Sequence, residues 1–173
     1  GVSVPAVWGV RAARTQYWRV VDHVAEPQAF AGMVKARALE MAKLSDRPEG
    51  AKGVALTPLK RTIDNRGYHY VHVDVTIDRA ARTASFVVAG PLGPQPTDVA
   101  GIEAAGADWY PLALARELDD AILSMRTNEL DTGIWLIRTV GDVNAVLAMD
   151  KILLANRSHW LVRETIGMLR RAL

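Results

Sequence analysis

Residues 68–78 read Tyr68-His69-Tyr70-Val71-His72-Val73-Asp74-Val75-Thr76-Ile77-Asp78, and no other stretch limits the fold so strongly. On a strand, successive side chains point to opposite faces, so apolar residues at every second position line one face. The spacing predicts one half-buried strand over 68–77. Its apolar face is His69, Val71, Val73, Val75 and Ile77. Its polar face is Tyr68, Tyr70, His72, Asp74, Thr76 and Asp78. The run is bounded by two turn signals, Asp64-Asn65-Arg66-Gly67 before it and Asp78-Arg79-Ala80-Ala81-Arg82 after it. An apolar strand face has to be covered, and the rest of the chain is mostly helical in pattern, so the expected class is α+β.

The 173 residues suit a single domain, expected over 1–173, and half of them are hydrophobic, enough for a substantial core. There is no cysteine, which excludes disulfides, thiolate metal ligands and a cysteine nucleophile. Charge is segregated. Residues 1–66 carry eleven Lys or Arg against six Asp or Glu, residues 67–132 four against ten, and residues 133–173 six against three. Complementary blocks of this kind can register one copy of a chain against another. No secretory signal or membrane span is expected within these residues, and Pro5 breaks the myristoylation pattern. The compartment is left open, with a cytoplasmic or particle-associated setting expected.

Residues 1–9 read as an extended apolar arm carrying Trp8. A helical period then predicts an N-terminal pair of helices, the first with a stripe of Ala13, Tyr17, Val20, Val21 and Val24. The second begins near Pro27 and ends at the breakers 45–50. Residues 54–63 are an expected edge strand because Pro58 cannot donate to a ladder. Short turns then predict an antiparallel meander of that strand, 68–77 and about 83–90, with 133–140 as a possible fourth strand. Residues 90–107, rich in Gly and Pro, are expected as an irregular loop. C-terminal helices are expected from near Asp108 or Tyr110 to about Asn128, from an Asp142 cap through Ala155, and from a Ser158 cap to Leu173. In the first of these Leu114, Leu118, Ala121, Ile122 and Met125 face inward and Glu117, Asp119 and Asp120 outward.

Three groups of residues are candidates for function. Tyr70, His72 and Asp74 share the polar strand face, and an imidazole beside a carboxylate can move a proton. His69 falls on the other face, so two histidines of one strand cannot grip one metal ion, and no metal or cofactor is expected. A solvated sheet face explains the same pattern more simply. Arg11, Arg14, Arg19, Lys60, Arg61 and Arg66 lie among aromatics such as Tyr17 and Trp18, as in nucleic-acid surfaces, although no recognised nucleic-acid motif accompanies them. The arm residues Val4, Val7 and Trp8, with Trp109 at the end of the Gly/Pro loop, read as an interface between subunits, because Trp favours such places.

With no convincing catalytic constellation, these features predict a non-enzymatic, self-associating assembly protein, such as a virion, tail or secretion subunit. A nucleic-acid-binding module is the first alternative. A small-molecule enzyme or binding domain with Tyr70, His72 and Asp74 facing a cleft is the second. The last requires that something cover the polar strand face.

Overall fold

The computed structural model describes residues 3–5, 14–46, 50 and 52–173. They group into two compact units, Gly1–Lys52 and Gly53–Leu173, where the sequence suggested one domain. In the first unit, β1 (Ser3–Pro5) pairs in parallel with β2 (His23–Ala25), and helix α1 spans Pro27–Lys43. Pro27 occupies the first turn of α1, where its missing N–H costs nothing. The expected first helix is helical only at 14–17 among the described residues. The chain turns at 18–20 and is extended by Val24. Arg19 takes a left-handed φ of 57°, and the β-branched run after it prefers strand geometry.

The second unit is built on a five-stranded sheet in the order β3-β4-β5-β6-β7, with β3 Thr62–Asp64, β4 Gly67–His69, β5 Val73–Asp78, β6 Thr83–Ala89 and β7 Ile134–Val140. The α+β class holds, but the central run is not one strand. It folds back at 70–72, so β4 and β5 are antiparallel partners, with Tyr68 opposite Val75 and His69 opposite Asp74. The Tyr70 N–H closes the turn on the Val73 carbonyl at 2.8 Å. Cross-strand partners share a face, so the reversal shifts the alternation by one residue: Tyr68 joins Val75 on the buried face and His69 joins Asp74 on the outer one. Of residues 54–63, only 62–63 join the sheet, in β3, in keeping with the missing donor of Pro58.

The Asp64–Gly67 turn behaves as its residues dictate. Asp64 Oδ1 accepts from Arg66 N at 2.7 Å and Gly67 N at 3.1 Å. Gly67 has φ 153°, and a Cβ there would lie 1.9 Å from the Val75 carbonyl oxygen, so only glycine fits.

The fourth strand exists but is parallel to β6, from Thr83 opposite Ile134 to Ala89 opposite Val140. A parallel neighbour needs a long crossover, and residues 90–133 supply it. Within them, 90–107 is not the purely irregular loop expected. The crossover contains helix α2 (Val99–Ala105), capped by Asp98 on Gly101 N, a 3-10 turn at Gly106–Asp108, and helix α3 (Tyr110–Asn128). Helix α4 (Val143–Ala155) starts on the expected Asp142 cap. Helix α5 (Trp160–Ala172) has His159 rather than Ser158 at its cap position and no side-chain cap.

One sheet face is the core. Val73, Val75 and Ile77 of β5 and Ala84 and Phe86 of β6 pack against Leu118, Ala121, Ile122 and Met125 of α3. Each such large side chain taken from water contributes about 1.5–3 kcal/mol. A second cluster joins Ile102, Trp109, Leu112, Leu161 and Val162. Trp109 is 1% exposed there, so its indole offers no surface to a partner, contrary to its reading as an interface residue. Among the described residues no helix is long and apolar enough to cross a membrane.

Candidate functional site

The turn at 70–72 is held from two sides. The His72 N–H donates to Glu117 Oε2 of α3 at 2.6 Å, and Val73 N–H donates to the same oxygen at 3.1 Å. The His72 carbonyl accepts from Ala89 N at 2.8 Å. Glu117 is 4% exposed, although the sequence reading put it in water. A buried carboxylate is stable only with donors around it, and two backbone N–H groups supply them. The signal was present: Glu117 lies three residues after Leu114 and four before Ala121, on the inward stripe of α3.

This clamp sets the His72 side chain into a cleft of about 280 Å³. One wall is the segment 57–60, another is Val71 and His72, and the floor includes Ala113, Arg116 and Glu117. The imidazole stands edge-on to the Tyr110 ring at 5.0 Å. Its Nδ1 is buried and has no hydrogen-bond partner among the described residues. Burial holds the Tyr110 phenol above its usual pKa, helped by the nearby Glu117 charge. The Tyr110 hydroxyl donates to the Ala89 carbonyl at 2.9 Å. Arg116 donates to the Thr57 carbonyl at 2.6 Å, which ties the irregular segment to α3. Lys60 and Arg116 bring positive charge to the cleft and Asp108 adds a carboxylate. Sequence reasoning singled out His72 and Lys60, but missed Arg116 and Glu117 as parts of a site.

Tyr70 and Asp74 do not join His72, because the strand that would align all three is broken. Tyr70 donates to Asp120 Oδ2 at 2.7 Å, and Arg61 donates to the same oxygen at 2.6 Å. Burial, then the Asp120 carboxylate, pushes the Tyr70 phenol well above its usual pKa. Asp74 sits on the outer sheet face, 2.6 Å from His69 Nδ1, while Asp64 lies 3.2 Å from His69 Nε2. His69 is therefore on the polar face and not the apolar one. These carboxylates occupy opposite ring nitrogens, so the trio does not converge on one point. Among the described residues no cluster of His, Asp or Glu is arranged to hold a metal ion.

The basic residues proposed for nucleic acid are divided. Arg11 lies outside the described residues. Arg14 stacks on the Trp18 ring at 5.6 Å. Arg61 is paired with Asp120 and Arg66 with Asp64, which neutralises part of the charge a phosphate backbone would need. Of the arm, Val7 and Trp8 lie outside the described residues, and Val4 pairs with Val24 in the first unit.

No family model matches the chain. A benzoyl-CoA-dihydrodiol lyase of Aromatoleum evansii is 54% identical to it over 165 residues. Those residues are 95% of this chain and 30% of that protein, so the chain spans under a third of the curated relative it matches. The similarity overturns the expectation of a non-enzymatic structural subunit of a particle or apparatus: the relative is an enzyme. It favours the small-molecule alternative instead.

Proposed function

We propose that this chain is part of a lyase acting on a coenzyme A thioester of a cyclic dihydrodiol, and that the His72 cleft meets the substrate. The identity of 54% to a protein of that name carries the reading. The chemistry of the cleft supports it. A lyase breaks a bond without water or an oxidant, so a proton must leave one position and another must reach the leaving group. An imidazole with an unpaired, buried Nδ1 suits that task. Lys60 and Arg116 suit the phosphates that coenzyme A carries.

The test exchanges this chain for the matched region of the Aromatoleum evansii lyase and measures turnover of benzoyl-CoA dihydrodiol. Turnover by the exchanged protein is the expected result. With His72→Ala it should fall about 100-fold or more, as for loss of a proton-transfer group. A folded exchanged protein without turnover overturns the lyase reading. Turnover that His72→Ala leaves intact removes the cleft from the reaction.

A further inference from the structure

β7 forms one edge of the sheet, and among the described residues no strand lies beside its outer backbone groups. Natural edge strands are shielded by short length, charges, proline or bulges. β7 has almost none of these. It is seven residues long, pairs with β6 without a bulge, contains no proline, and carries one charge, Arg138. It is apolar on both faces. Ile134 (57% exposed), Leu136 and Val140 protrude on the face away from α3, and Ile137 (59% exposed) on the face that α3 covers further along. Only Trp135 reaches the core, against Phe86 at 5.3 Å.

The exposed surface continues past Gly141. In α4, Met149 is the one buried residue, and Ile152 and Leu153 lean on the second core cluster. Val143, Leu147 and Leu154 lie four and seven residues apart, on one outward stripe, and all three are exposed. A strand edge and a helix stripe, both aliphatic and consecutive in the chain, are thus left exposed. Patches of this kind mark interaction sites.

We propose that this surface receives an extended aliphatic segment from the remainder of a protein of the relative's length, which adds a strand to β7 and covers the α4 stripe. Most of the Aromatoleum evansii lyase lies outside the matched region, so it has ample polypeptide for the task. Main-chain hydrogen bonds to β7 would supply affinity, and the aliphatic side chains on both faces would set the register. The proposal rests on the relative's length and not on its reaction, so the lyase reading can fail while this one stands.

The test is hydrogen exchange at residues 134–140, in the isolated chain and in the exchanged protein described above, with β5 as the internal reference. The amides of β7 should exchange at least about 100-fold more slowly in the long protein, with those of β5 less affected. Ile137→Lys should leave the melting temperature of the isolated chain unchanged and lower that of the long protein. If the exchanged protein does not fold, the matching strand of the intact relative gives the same readout. Equal exchange of β7 in short and long proteins overturns the proposal. So does an isolated chain that light scattering finds dimeric with β7 already protected, because the occupant is then a second copy. Protection of β7 in an exchanged protein that turns nothing over keeps this inference and rejects the lyase reading.

Discussion

Glu117 Oε2 lies 2.6 Å from the backbone nitrogen of His72, so a buried carboxylate on α3 holds the turn that carries the imidazole. Removing it should be costly. Glu117→Ala leaves the N–H groups of His72 and Val73 without an acceptor in a largely dry place, and should destabilise the protein by about 3 kcal/mol. Glu117→Gln keeps an oxygen in position and should cost about 1 kcal/mol. Urea unfolding measures both, and exchange at residues 70–73 should quicken in the alanine variant. An alanine variant as stable as the parent would mean that the clamp holds nothing.

His69 makes stability depend on pH. Its hydrogen bond to Asp74 raises its pKa above the ordinary 6.5, with Asp64 adding to the effect and partial desolvation opposing it. A raised folded-state pKa favours the protonated folded form. The contribution is therefore complete below about pH 6.5 and is lost as pH rises through the raised value. The melting temperature should fall across that interval in the parent, and the fall should be smaller in His69→Gln. Identical pH profiles for the two proteins would refute the assignment.

Trp109 separates a core residue from an interface residue. At 1% exposure among Ile102, Leu112, Leu161 and Val162, its replacement by alanine should cost about 3–5 kcal/mol. The mass in solution of the folded variant should not change. A variant that kept its stability and lost mass would restore the interface reading.

Much of the fold was legible because it rests on local rules. The period of α3, the Asp142 cap of α4, the Asp64–Gly67 turn and the existence of β6 and β7 all depend on residues a few positions apart. The site was legible only in part. His72 drew attention through its strand pattern, but its proposed companions Tyr70 and Asp74 went elsewhere. Each half of 68–78 alternates by itself, as a single strand would, and the reversal only shifts the phase between the halves, which puts Tyr68 inside and His69 outside. Val71 and His72 carry no glycine or proline to mark the reversal.

What the sequence by itself determined was the α+β class, the helical stripes and most of the turns, since periodicity and capping act within a few residues of chain. Tertiary structure alone decided the reversal at 70–72, the parallel placement of β7 and the burial of Glu117. Each depends on a partner far along the chain: Glu117 lies 45 residues from the turn that it clamps. A carboxylate on a helix reads as solvated until the backbone donors that desolvate it are in place, and only the folded chain brings them there.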